Sequence, residues 1–465
     1  MNPLKITMRQ FGAVALAIFV VQLDYFALTL ALPSMARDFG TTPENLQWVV
    51  SAYLIATGIA MVPGSRIGDL IGRKKVLIIG LTGFGLTSLW CGLSTNPESV
   101  IAARTFQGLS GGLYVPVAFA LITNATSEDL RPKVLGVITA IGGAGTAVGP
   151  ILGGAFSSTI GWRWIFFVNV PLALTGAVWG WFQLKEQTDP ELKNKKIRDL
   201  DFLGVALIVV IVCGLSLAID DISSQGFALY ATVIPALLGI AAVIAFVAWE
   251  RRSSWPILPP VMWRNRRFTI LVVMATLTNM GSVVMIYLAT IFLQQTRGLS
   301  GLVAGLMFIP AAIGMSVAGV VGGKVAPIVP SQRVLTVAMI VGALTLGCLA
   351  FITSLWIYLL MMGVAALFLG LGFQFGSIAV QSVVEPAQAG AATGTLLTVM
   401  LTLSGGAVVA AAASLEAFSG SSNATQHSMT VTYLEWAALL GVMGAIFGLT
   451  LWKRATLPKL RSVSN

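Results

Sequence analysis

Runs of about 20 apolar residues recur along this whole chain, and a run of that length is what an α-helix needs to cross a bilayer. Fourteen can be marked, at 11–33, 45–65, 76–94, 98–122, 133–156, 163–183, 202–219, 228–249, 268–294, 301–322, 334–352, 355–377, 389–415 and 431–452. Backbone groups inside a bilayer must be satisfied within their own segment, which leaves an all-α integral membrane protein with 14 transmembrane helices. Composition agrees, because 56% apolar and 10% charged residues, with a mean hydropathy of +0.88, leave too little polar surface to coat a soluble globule. The 49 glycines suit membrane helices, where small residues let backbones approach closely.

A net charge of +10 raises the question of nucleic acid, and the placement of the cations answers it. They lie in short loops. With a cytoplasmic N-terminus, the loops and tails on that side carry 24 Lys and Arg, whereas the opposite loops carry three, Arg37, Arg163 and Arg297. One span gained or lost would invert every later loop, so this asymmetry supports fourteen spans with both termini cytoplasmic and no nucleic-acid partner. Trp48, Trp90, Trp162, Trp356 and Trp436 near outer ends and Trp181, Trp249, Trp263 and Trp452 near inner ends are expected to form interfacial belts. Cys91, Cys213 and Cys348, odd in number and each in an apolar run, are expected as buried packing residues. The first span is expected to stay attached, since it is long, contains Asp24 and has no small-residue cleavage site before Pro33.

Asp24 is the one acidic residue near the middle of a span, and Arg104 the one basic residue deep within one. An ionisable group at that depth marks an ion or substrate pathway, or a structural hydrogen bond. Asp24 lies roughly 14 Å and Arg104 roughly 9 Å below the outer ends of spans 1 and 4, at about 1.5 Å per residue, so the two can meet directly or through water. Burial disfavours the carboxylate and a guanidinium favours it, which leaves its proton sensitive to small rearrangements. A static buried pair is the alternative.

Between spans 2 and 3, the segment Gly64-Ser65-Arg66-Ile67-Gly68-Asp69-Leu70-Ile71-Gly72-Arg73-Lys74-Lys75 resembles motif A of the major facilitator superfamily. Gly68, Asp69, Gly72, Arg73 and Lys74 match, and Ser65 and Leu70 depart from it. The resemblance implies a conformational latch, in which the carboxylate faces the positive N-terminus of a helix such as span 13. In span 5, Gly145, Gly149, Pro150, Gly153 and Gly154 resemble motif C, which marks antiporters more than importers. Small residues at every fourth position make a flat face, and Pro150 permits a kink. Arg104-Thr105-Phe106-Gln107-Gly108 resembles motif B. Leu23-Asp24 with Ala31-Leu32-Pro33, and Gly161-Trp162-Arg163-Trp164 through Asn169-Val170-Pro171, complete the likeness to the 14-spanner drug:proton antiporter family.

That family resemblance implies the major facilitator fold, with two six-helix bundles plus two extra helices. The chain would divide into a first bundle at 1–183, a cytoplasmic linker at 184–201, two inserted helices at 202–249, a second linker at 250–267 and a second bundle at 268–465 with a short tail. Gly390-Ala391-Ala392-Thr393-Gly394 with Ser404-Gly405-Gly406 echoes span 5, as internal repeats would. The activity implied is proton-driven efflux of small amphipathic compounds, monocationic or neutral, by a monomer in a prokaryotic inner membrane. No cofactor is expected beyond the proton gradient, and no metal. Asp24 and Arg104 would couple protons, and Tyr25, Phe26, Tyr53, Gln107, Tyr114, Asn279, Tyr287, Phe373 and Gln374 are candidate substrate contacts. A dedicated exporter of one metabolite or natural product is the nearest alternative, ahead of a lipid flippase or an importer. An enzyme is not expected, since the single histidine, His427, falls in an outer loop and the spans hold no paired carboxylates.

Overall fold

The computed structural model describes residues 8–43, 46–126, 131–188, 199–224, 229–253, 256–258, 260–325, 328–384, 389–419 and 426–452, and in these it is helical without strands. The first half consists of α1 (Met8–Thr29), α2 (Leu32–Phe39), α3 (Gln47–Ile71), α4 (Arg73–Leu93), α5 (Pro97–Ala125), α6 (Arg131–Ser158) and α7 (Arg163–Gln183). Next come α8 (Phe202–Ser224) and α9 (Ile234–Glu250), the latter preceded by a π-helical turn at Leu229–Val233. The rest comprises α10 (Pro260–Trp263), α11 (Arg266–Ile291), α12 (Gly301–Met307), α13 (Ile309–Val325), α14 (Ser331–Leu349), α15 (Leu355–Gln381), α16 (Ala389–Ser419) and α17 (Gln426–Trp452).

Twelve helical segments among the described residues are long and apolar enough to cross a membrane. Helix α6 and the 17-residue α9 occupy the two remaining apolar stretches of the sequence. Leu86, Val178, Phe182, Leu237, Ile244, Leu344 and Leu360 lie exposed on the outer surface. Large aliphatic side chains spread over every helix face that meets no neighbour are tolerable in lipid and not in water. The chain is an integral membrane protein.

Helix packing sorts the molecule into two groups and two seams. Helices α1, α3, α4, α5, α6 and α7 pack on one another, as do α11, α13, α14, α15, α16 and α17. Contact between the groups runs along α3 with α16 and along α6 with α12 and α13, while α8 packs on α9 and reaches α16. Both seams depend on small residues. A side chain at Gly58 would strike Thr402, and one at Gly305 would strike the Pro150 carbonyl.

Three local expectations change. The first apolar run breaks at Thr29, and its remainder, with Pro33 in the first turn, starts the short helix α2, which Gly40 ends at φ +67°. Trp162 and Trp436 are both buried, and Trp162 donates from Nε1 to Asp38 at 3.1 Å, so these two pack as core residues and not as belt anchors. Arg163 donates to the same carboxylate at 2.6 Å and, first among the causes, holds Asp38 below the usual carboxylate range. Cys348 is exposed, whereas Cys91 is buried as expected and Cys213 is intermediate. The interior α-helical pattern of α14 places Cys348 on its outward face, beside the exposed Leu344.

Candidate ion-coupling site

Asp24 and Arg104 are both fully buried, and Arg104 Nη1 donates to Asp24 Oδ2 at 2.5 Å. Helix α1 supplies the acid and α5 the base, and two further helices complete the shell. Asn169 on α7 donates from Nδ2 to Asp24 Oδ1 at 2.7 Å, and Gln107 Nε2 donates to the same oxygen at 3.3 Å. Gln107 Oε1 in turn accepts from Arg104 Nη1 at 2.7 Å and from Cys91 Sγ at 3.7 Å. Arg104 Nε donates to the Val49 carbonyl of α3 at 3.1 Å, and the guanidinium carbon stands 3.9 Å from the centre of the Tyr53 ring.

Each member of this cluster has a defined part. The carboxylate receives three donors, which offset part of the cost of its removal from water, and the arginine spreads its own charge over a carbonyl, an amide oxygen, a carboxylate and an aromatic face. One nitrogen, Arg104 Nη2, is buried without an acceptor. That free donor and the long Gln107 bond leave the network room to rearrange about Asp24.

The candidate substrate contacts separate. Tyr53 and Gln107 sit in the Asp24 cluster itself, and Tyr25, edge-on to Phe26 at 4.8 Å between ring centres, lies within electrostatic reach of Arg104. Tyr114 is buried edge-on to Phe84. In the second half, Asn279 on α11 donates to Ser404 Oγ on α16 at 2.7 Å, and Tyr287 is buried on the same helix. Phe373 is exposed on α15, and Gln374 faces Gly319 and Gly322 of α13, so these two stand apart from the others.

The motif A segment forms the junction of α3 and α4. Asp69 and Arg73 form an ion pair at 2.7 Å, and Gly72, at φ +117°, turns the chain. Glu186 lies over Gly72 and accepts from the Lys74 backbone N–H at 3.0 Å, and Lys74 Nζ stands 5.5 Å from the Trp181 ring centre. A carboxylate thus neutralises the positive start of α4. Residues 385–388, which lead into α16, fall outside the described ones. Motif C divides between two partners: Gly145, Gly149 and Gly153 lie on α1, against Gln22, Phe26 and Ala27, while Pro150 and Gly154 meet Gly305 and Gly301 of α12.

Sequence reasoning placed Asp24 and Arg104 together but assigned no site role to Asn169. Its only signal was an amide at the seventh residue of the apolar α7, two before Pro171, and the rotation that aims it at Asp24 is not written in the pattern.

Comparison with known proteins agrees with this architecture. A cephamycin export protein of Amycolatopsis lactamdurans is 32% identical over 310 residues, 65% of this chain. A puromycin resistance protein of Streptomyces alboniger is 34% identical over 345 residues, 72% of the chain. The matches cover 62% and 65% of those relatives, so the chain spans about two thirds of their length. Among solved structures, a POT family transporter in complex with 5-aminolevulinic acid superposes with a TM-score of 0.71 over 97% of this chain and 98% of its own, at 13% identity, a likeness of fold. The family model for the Major Facilitator Superfamily matches residues 14–412, and the chain belongs to that superfamily.

Proposed function

We propose that the chain is a drug:proton antiporter with fourteen spans and cytoplasmic termini, exporting small amphipathic compounds from a prokaryotic cell across its inner membrane by alternating access. The observation that carries this reading is the fully buried Asp24–Arg104 pair, with Gln107 and Asn169 closing around the carboxylate. An acid so enclosed keeps or loses its proton according to whether its donors stay in place, and helix movements that reshape the cavity move those donors. The motif A pairs act as the latch of the cytoplasmic side, and motif C seals the opposite one.

With one carboxylate at membrane depth, the substrate is a monocation or a neutral amphipath. Compounds named for the two relatives, cephamycin and puromycin, support export of antibiotics or similar natural products, and they favour a dedicated exporter as the second reading. Competition among unrelated amphipaths for one transport route separates the two.

The decisive experiment is dye transport in everted vesicles under an imposed pH gradient, with Asp24→Asn at matched expression. Wild type is expected to exchange a cationic dye for protons, and the variant to lose at least about 90% of gradient-driven uptake, since a neutral amide neither carries the proton nor opposes Arg104. Unchanged coupling in the variant would refute the assignment of Asp24.

A further inference from the structure

Two buried acidic residues take no part in the Asp24 cluster. Asp201 precedes α8 and Glu250 ends α9, so both stand at the base of the inserted hairpin, at the end of the molecule that carries motif A. Asp201 Oδ1 accepts from the Gly204 backbone N–H at 2.8 Å, capping α8, and from Trp249 Nε1 at 2.5 Å. Its other oxygen, Oδ2, is buried and receives no donor. Glu250 accepts from the backbone N–H groups of Ile257 and Leu258, one on each oxygen, at 3.1 Å.

The two carboxyl groups stand within hydrogen-bonding reach of each other. Two carboxylates have no hydrogen to place between them, and one shared proton supplies it. Among the described residues, few other charges surround the pair. From α3 come Arg66 and, beside it, Asp69, and Asp199 lies just before Asp201. Arg251 and Arg252 follow Glu250 and are exposed, and the half of α16 nearest this end carries no charged residue. Arg66 Nη2 donates to the Pro256 carbonyl, next to the very stretch that Glu250 holds. An apolar contact runs beside this chain of bonds, with Ile55, Ile59 and Val62 of α3 against Ile208 and Val212 of α8 and Ile257.

We propose that Asp201 and Glu250 form a proton-binding carboxyl pair, separate from Asp24, whose shared proton controls through residues 256–258 and Arg66 how firmly motif A is held to the inserted hairpin. With the proton in place, an O–H fills the empty position at Asp201 Oδ2, the pair carries one negative charge, and Arg66 stays on the Pro256 carbonyl. When the proton leaves to water, two negative charges share one buried place and draw the guanidinium off the carbonyl onto themselves. The motif A end of α3 moves with its arginine. Glu250, the first linker residue beyond the span 228–249, is pushed up to about 7, by burial first and by Asp201 second, against the pull of the Ile257 and Leu258 amides. Glu250 is therefore protonated below that pH and loses its proton above it. Control over transport rests on the proposed antiport; the proton site does not.

The test uses the full-length purified chain carrying Asp24→Asn, in which the other deep acid is silent. Infrared difference spectra recorded through neutral pH are expected to show a protonated-carboxyl band lost with a midpoint of about 7, and the band should vanish on adding Glu250→Gln or, with its α8 cap preserved by the amide oxygen, Asp201→Asn. A band that survives both substitutions, or none near neutrality, overturns the proposal while leaving the antiport reading intact. In vesicles with Asp24 present and the gradient held constant, exchange by wild type should change with the pH on the motif A side through the same midpoint, and Glu250→Gln should flatten that dependence. An identical pH profile in both would sink the link to motif A, whereas loss of dye exchange in wild type would bear on the antiport reading alone.

Discussion

Arg104→Ala is expected to be the most damaging single substitution in the protein, because it leaves the Asp24 carboxylate fully buried with its cation gone. Breaking a buried pair by removing one partner costs about 3–5 kcal/mol, most of it the penalty of the charge left behind. The Tyr53 face and the Val49 carbonyl lose their partner in the same step. Purified in mild detergent, the variant should aggregate at temperatures where wild type stays monodisperse. The diagnostic comparison is Arg104→Gln with Asp24→Asn, which removes both charges and keeps amides at both places. That double variant should recover most of the stability and none of the gradient-driven transport. Should Arg104→Ala alone be as stable as wild type, the ion pair is not what holds α1 to α5.

The second large effect lies at Gly154. A side chain there would fall on the Gly301 carbonyl across the seam between α6 and α12, and backbone cannot yield as a flexible side chain would. Gly154→Val is therefore expected to hold the two halves apart on the side opposite motif A. Ala304, completely buried in α12, reports the change. In an Ala304→Cys background, Gly154→Val should raise the rate of reaction with a membrane-impermeant maleimide at least about tenfold, which corresponds to ~1.4 kcal/mol in the seam's equilibrium. Gly142 provides the control, since its side chain would meet Ile18 at an ordinary 3.4 Å, and Gly142→Ala should leave the rate unchanged. Equal rates in all three proteins would mean that this seam does not close the pathway.

Much of this arrangement was legible in the chain itself. The meeting of Asp24 and Arg104 follows from two depths and the rise of a helix, because a charge pair in hydrocarbon has few other ways to be satisfied. Helix rotation was not legible, since spans apolar on nearly every face give no moment to fix which side turns inward. Hence Asn169 went unassigned, and Phe373 and Gln374 were grouped with residues from which the structure separates them. Trp162 misled for another reason: indole suits both a membrane interface and a core, and the deciding partner, Asp38, lies on a helix hidden in what reads as the tail of the first span. Asp201 and Glu250 sit where a hairpin must bring its two feet together, but whether such a foot is wetted or enclosed depends on α3 and the 256–258 turn, far away in sequence.

With one proton carried by Asp24 per turn, the electrical character of the proposed exchange follows. One proton entering for one monocation leaving moves no net charge, so that traffic ignores the membrane voltage and runs on the pH difference alone. A neutral passenger changes the balance. Its exit against one entering proton carries a positive charge inward, and the voltage then adds about 2.3 kcal/mol for each 100 mV. The same carrier would concentrate uncharged compounds more steeply in a strongly polarised cell than in a depolarised one, while its handling of cations stayed the same.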